Sequence, residues 1–299
     1  MSNIKMIGRG SSISGFDLFF AADLIITSSD DAIFSTNDSG GFLEFIGKFK
    51  LDDSGNIVSG KINKINVHAS GFSYSISTSL NYNDLIAMSD FDLSDFIYSG
   101  NNTITGTAGN DFVLINGAGK DKISLGSGKD FFWGVDSATI DLGSGDDFVV
   151  LSNFSNVKLG TGSDIVRVST LDVESKVIKD FSSTEDIIEI SQSFFSDMQL
   201  QEFYWDGESN FLEFFESQVR VGQNSHLSLR ADQFLAYDMK SGKIYFDEDG
   251  GGQGVAPVLI AILANKPNIT PKMLADDIVV LSGVLSDYTG LSSDFILSQ

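Results

Sequence analysis

The chain has no cysteine, only two histidines and only three prolines. Without cysteine there are no disulfides and no thiol chemistry. His68 reads as a strand residue and His226 as a loop residue. Neither has a second histidine four residues on, which excludes an H-E-x-x-H zinc protease site. No G-x-S-x-G elbow is present, so the hydrolase nucleophile of that type is missing. No Walker-type glycine loop is present either. Cations are scarce as well: 19 Lys and Arg stand against 41 Asp and Glu, a net charge of −22. That balance argues against nucleic acid and against an anionic membrane surface. The longest apolar run, about 255–264, is broken by Pro257 and is too short to cross a bilayer. The first residues, MSNIKMIGRGSS, hold Lys5 and Arg9 but no apolar stretch of signal-peptide length.

Glycine is plentiful, and it is periodic. Gly100, Gly109, Gly119, Gly128, Gly145 and Gly162 are spaced nine, ten, nine, seventeen and seventeen residues apart. Two residues after each comes Asn102, Asp111, Asp121, Asp130, Asp147 or Asp164. Two further on comes an apolar side chain: Ile104, Val113, Ile123, Phe132, Val149 and Val166. A fixed short period predicts a solenoid, in which each unit buries its apolar face only against its neighbours. Glycine turns the backbone tightly and leaves carbonyl oxygens unobstructed. A carboxylate at a fixed offset adds charge. Oxygen donors alone, several of them carbonyls, describe a hard-cation site and suit calcium. The apolar residue opens a short inward-facing strand.

Two units make one turn, so each loop stacks on the loop two units away. One flank then carries the loops ending at Asp111, Asp130, Asp147 and Asp164; the other carries Asn102 and Asp121. Within the seventeen-residue gaps, WGVDSATID and LSNFSNVKL lose the glycine–acid pattern. They keep Ile140 and Val157 in line with Ile123, so the strands continue where the second flank ends. The expectation is about three calcium ions on the first flank, with one more between Asn102 and Asp121.

These units resemble G-G-x-G-x-D-x-U-x, the calcium-binding nonapeptide of the RTX, or hemolysin-type, family. Thr107 stands where the second glycine falls. The resemblance implies a parallel β-roll and a ligand set. Carbonyls would come from Gly106, Ala108, Leu125, Ser127, Gly126, Gly128, Leu142, Ser144, Gly143, Gly145, Gly160 and Gly162. Side chains would come from Asp111, Asp121, Asp130, Asp147 and Asp164. Asn102 departs from the pattern, since a neutral amide attracts calcium less than a carboxylate does. Beyond the repeats the chain is similar to the C-terminal part of RTX metalloproteases, without their catalytic half.

The expected architecture is all-β: a β-roll over 99–170, flanked by an N-terminal β-rich module, 1–98, and a C-terminal β-sandwich-like closing module, 171–281. In the first module FLEFIGKFKL and IVSGKINKINVH predict a hairpin around DDSGN. Leu43, Phe45, Phe49 and Leu51 share its inward face. On the return strand Val58 and Ile62 have one parity and Ile65 and Val67 the other, which calls for a bulge or a different register. Asn83 caps a predicted helix over 84–89, with a further helical turn near 93–98.

In the closing module VIKDFSSTEDIIEIS resembles the segment after the roll in RTX exoproteins. Asp180 and Asp186 there are either solvated acids or ligands of a further calcium. Met239 to Gly242 reads as a hairpin turn, and 258–263 as the final strand. The acids of FDEDG read as part of a structural turn in preference to a metal loop. Phe203, Tyr204, Trp205, Phe211, Phe214 and Phe215 are core residues, or alternatively a carbohydrate-stacking face. The tail, 282–299, ends near Asp294-Phe295-Ile296-Leu297 and resembles a type I secretion signal; the alternative is a frayed end.

The functional expectation is a secreted, extracellular, calcium-binding protein of Gram-negative type. It would be exported by a type I secretion apparatus and fold on calcium outside the cell. It has no recognisable catalytic motif and would act at a surface, in a matrix or in adhesion, with a glycan or cell-surface partner. The alternatives are an enzyme acting on extracellular polysaccharide and a small RTX toxin-like exoprotein.

Overall fold

The structure, a computed structural model, describes residues 3–7, 12–14, 24–26, 31–35, 42–54, 57–69, 72–87, 101, 103–115, 119–134, 137–151, 155–168, 176–191, 211–224, 229–251 and 254–281. The chain is mostly β and carries a parallel β-solenoid, with antiparallel strands on either side of it in sequence. It divides into two units, Met1–Gly145 and Asp146–Gln299. Asn102, His226, residues 93–98, Phe203 to Trp205 and the tail lie outside the described residues.

In the first unit, β1 (Asn3–Ile7) and β2 (Ser12–Ser14) precede an antiparallel run. That run is β3 (Leu24–Ile26), β4 (Asp31–Ser35), β5 (Phe42–Leu51), β6 (Ile57–Ala69) and β7 (Phe72–Asn81), followed by the short helix α1 (Tyr82–Ala87). The roll strands are β8 (Thr103–Thr105), β9 (Phe112–Ile115), β10 (Lys120–Ser127), β11 (Phe131–Gly134) and β12 (Ser137–Ser144). Strand β10 pairs in parallel with β8 and β12, so Ile104, Ile123 and Ile140 stand in register. All three are buried. Each such isoleucine contributes roughly 1.5–3 kcal/mol on burial. On the facing sheet Phe132 stands opposite Val113, and both are buried.

The N-terminal strands join both parts of this unit. Strand β1 pairs antiparallel with β7 and parallel with β8. Strand β2 pairs parallel with β9. Strands β1 and β2 therefore extend the two solenoid sheets by one strand each, and no acid lies between them in sequence. The β5–β6 hairpin forms as its alternation predicts, with Phe45, Phe49, Ile62 and Ile65 buried. Its register shifts twice, around Asn63 and around Val58. These bulges explain the change of parity: Ile62 and Ile65 both face inward, whereas Leu51 and Val58 are turned out to solvent. Helix α1 begins one residue before Asn83.

In the second unit, β13 (Phe148–Leu151), β15 (Ile165–Val168), β17 (Ile187–Ser191) and β23 (Ile278–Leu281) form a parallel sheet in that order. Strand β18 (Phe211–Glu213) joins β23 antiparallel. The other sheet runs from β14 (Asn156–Thr161) through β16 (Val177–Ile178) to β22 (Val258–Leu263). It continues antiparallel into β21 (Lys243–Phe246) and β20 (Leu235–Asp238), then parallel into β19 (Val219–Gly222). Tyr237 and Tyr245 flank the predicted turn, where Asp238 accepts from Lys240 N and Ser241 Oγ. Helix α2 (Pro271–Asp277) starts as its sequence dictates: Thr270 Oγ1 accepts from Met273 N at 3.2 Å, and Pro271 fills the first position, where no N–H is needed.

Candidate metal centre

The loops follow from the glycines. Gly126, Gly128, Gly143, Gly145, Gly160 and Gly162 all have φ between +103° and +130°, a region that side-chain-bearing residues rarely adopt. In the first unit Gly126 lies beside Gly143 and Ser127 beside Ser144. A Cβ on Gly143 would collide with the Gly126 carbonyl, and one on Gly145 with the Gly128 carbonyl. The loops thus stack with main-chain oxygens close to the glycine Cα atoms of the next turn. Gly128 N donates to Ser144 O at 2.9 Å and Gly106 N to Ser124 O at 2.7 Å.

The aspartates form a ladder. Asp130 Oδ1 accepts from Asp111 N at 2.7 Å in the first unit. In the second, Asp164 Oδ1 accepts from Asp147 N at 2.9 Å, and Asp186 Oδ1 from Asp164 N at 3.1 Å. One oxygen of Asp130, Asp164 and Asp186 is held by the amide of the aspartate one turn back. Asp111, Asp130, Asp147 and Asp164 are all at most 2% exposed. Asp164 Oδ2 is buried without a hydrogen-bond partner among the described residues. Burial above all raises the Asp164 pKa to about 7, reinforced by the charges of Asp186, Asp147 and Asp146 and opposed by the bond from Asp147 N. A buried acceptor left open costs about 1–3 kcal/mol, more when it is charged.

The first loop differs. Register places Thr107 opposite Gly126. Its N–H donates to Asp111 Oδ2 at 2.6 Å and its hydroxyl to Asp111 Oδ1 at 3.0 Å. Gly106, Ala108 and Gly109 therefore surround a carboxylate already engaged by its own loop. On the opposite flank Asp121 lies in β10, buried on the same side as Ile123 and Leu125, and its neighbour in β12 is Ala138. Among the described residues, β12 thus places no carboxylate beside Asp121.

Residues not anticipated from the motif also take part. Asn110 Oδ1 accepts from Lys129 N at 2.8 Å, Asn101 Oδ1 from Lys120 N at 2.8 Å and Asp146 Oδ1 from Ser163 N at 2.9 Å. The sequence signal was a short polar side chain just before the acid position. Asp180 accepts from Leu159 N at 2.8 Å and Gly160 N at 3.1 Å. Asp186 Oδ2 accepts from Ser182 N at 2.8 Å. Asp186 is buried rather than solvated. In FDEDG, Asp249 Oδ2 accepts from Gly254 N and Val255 N, the bonding of a structural turn.

The donor set fits calcium in its chemistry. No group of three or more His, Cys, Asp or Glu side chains converges among the described residues. A cation here would be held by one aspartate per loop and by carbonyls, a hard, all-oxygen set. No helix among the described residues is long and apolar enough to cross a membrane. No protein-family model, curated protein or solved structure matches the chain.

Proposed function

We propose that the chain is an exported, calcium-dependent protein of RTX type, without a catalytic site of its own, whose fold is completed outside the cell. The observation that carries this reading is the run of buried aspartates, bonded carboxylate to amide from turn to turn within each unit, with the open Oδ2 of Asp164 in the second. Stacked carboxylates repel one another. Bound calcium supplies the opposing charge, and carbonyls of loops such as Gly143 to Gly145 complete the oxygen set. Such binding stabilises the folded state by RT ln(1 + [L]/Kd) per site. At about 10⁻⁴–10⁻³ M, the range of extracellular modules, the loops fill outside the cell and stay empty in the cytosol. The chain would cross a type I secretion apparatus unfolded and fold on arrival. A non-catalytic surface, matrix or adhesion role follows from the lack of catalytic motifs.

The test is a calcium titration of the chelator-stripped chain by calorimetry, with circular dichroism on the same samples. The expected result is cooperative uptake of about three to five ions with a gain of β signal. Full β signal in excess chelator, with no uptake at millimolar calcium, would reduce the loops to plain turns.

A further inference from the structure

A chain with twice as many acids as bases concentrates four lysines on one face of the β5–β6 hairpin. Lys48, Lys50 and Lys61 are exposed and Lys64 is half-buried. Lys48 stands directly opposite Lys61, Lys50 opposite Ser59 and Lys64 opposite Ile46. Like charges directly opposite destabilise a sheet. None of the four lysines is joined to a carboxylate among the described residues. The nearby Asp84 accepts instead from Asn81 Nδ2 at 2.8 Å. Lysines often guard the edge of a sheet against unwanted pairing. That does not explain Lys61 and Lys64, because β6 is paired there with β5 on one side and β7 on the other; Lys48 and Lys50 lie past Ile46, where the pairing of β5 with β4 stops. Packing does not require them either, since the side chains that fill the core, Phe45, Phe49, Ile62 and Ile65, point the other way.

We propose that this outer face docks a linear acidic polysaccharide. Same-face positions recur about every 6.8 Å along a strand and about 5 Å across it, which gives a flat cationic strip suited to an extended polyanion. Half-buried Ser59 and exposed Asn63 lie on β6, and exposed Ser79 and Asn81 on the neighbouring β7, with amide and hydroxyl groups for sugar hydroxyls. A bilayer would bring the whole chain's −22 against an anionic plane. A single polymer strand meets only the strip, and charges beyond about 8 Å are screened at physiological salt. Nucleic acid fits less well, because single strands need exposed aromatic platforms. Among the described side chains of this hairpin, the exposed large apolar ones are Leu51 and Val58. The inference stands on the first unit alone and does not depend on the calcium reading.

The experiment measures retention of the full-length protein on immobilised hyaluronate, with neutral dextran as control, in calcium and in chelator. Retention on hyaluronate in calcium at about 50 mM NaCl, lost at about 500 mM, is expected. Lys48→Glu with Lys61→Glu should weaken it at least tenfold, and Lys122→Glu on β10 should not change it. Lys48→Glu alone turns a like-charge pair into an opposite-charge pair, so it should raise the melting temperature while weakening retention. Should the double reversal fail to fold, Lys48→Gln with Lys61→Gln reads the same loss. No retention by the native chain overturns the proposal, as does retention indifferent to the lysines. Retention confined to an oligonucleotide or to phosphatidylserine vesicles assigns the face to another partner class and overturns it too. Retention that survives when no calcium is taken up would count against the calcium reading only.

Discussion

The loops ending at Asp111 and Asp164 share a motif but differ in how their carboxylates are satisfied. In the first, Thr107 fills the place of a glycine and donates both its N–H and its hydroxyl to Asp111. In the second, Gly160 and Gly162 both adopt positive φ, and no side chain of the loop reaches Asp164. Asp164 keeps one bond, from Asp147 N, and one open oxygen. A single threonine thus does for one carboxylate what a cation would do for the other. The repeat is less uniform than its spacing suggests, and the proposed calcium count would depend on which loops close on themselves.

The largest effect should come from forcing a side chain into a stacked loop. Gly145 has φ +130°, and a Cβ there meets the Gly128 carbonyl. Gly145→Ala combines backbone strain with that collision, so a loss of about 3 kcal/mol or more is expected. Urea unfolding in saturating calcium reads it. Ala108→Gly in the first loop, where no such stacking glycine is replaced, should change stability by less than about 1 kcal/mol. Equal effects at the two positions would mean that the two kinds of loop do not differ.

The next effect is on stoichiometry. Asp164→Asn removes a charged ligand from an open rung and should lower calcium uptake by about one ion, or weaken one site by about 1–3 kcal/mol. Thr107→Gly frees the Asp111 carboxylate from its own loop and should strengthen or add a site at that end. Calorimetric titration of both variants beside the native chain gives the count. If Thr107→Gly lowered uptake, the threonine would be part of the site rather than its substitute.

Much of this was legible in the sequence because a solenoid writes its packing into its period. Ile104, Ile123 and Ile140 line up as the spacing demands, as do Val113 with Phe132 and Val149 with Val166. The hairpin's change of parity pointed to a bulge, and Asn63 supplies it. Three features were not legible. The β1–β2 turn has no loop motif, and its pairing with β8 and β9 is a long-range match of short strands. The hydroxyl of Thr107 looked like a lost glycine, because its effect depends on where Asp111 turns. The lysine strip depends on cross-strand register, and two bulges set that register. Local pattern specifies local units, whereas side-chain satisfaction and strand partners belong to the assembled fold.

A pH-dependent effect concerns another carboxylate with an open buried oxygen. Asp277 ends α2 and leads into β23; it is 6% exposed, and its Oδ2 has no hydrogen-bond partner among the described residues. Burial first, then the charges of Asp276 and Asp186, raise its pKa from the ordinary 3.8 to about 7. Unlike Asp164, it belongs to no glycine loop. A raised carboxyl pKa means that the folded state holds a proton which the unfolded state releases. Between about pH 4 and 7 the native chain therefore binds more protons, and stability falls as pH rises, by at most about 1.4 kcal/mol per pH unit. The contribution is fully present below about 4 and gone above about 7. Calcium binding of the kind proposed would have the opposite sign, since protons compete with the metal, and the native chain's own profile would then mix the two. The difference between native and Asp277→Asn proteins at the same calcium concentration isolates this residue. That difference should favour the native chain at pH 4.5 and decline steadily towards pH 7.5. A flat difference would mean that Asp277 is ionised throughout and that a cation or an ordered donor meets its open oxygen, making it more like Asp164 than its place outside the loops suggests.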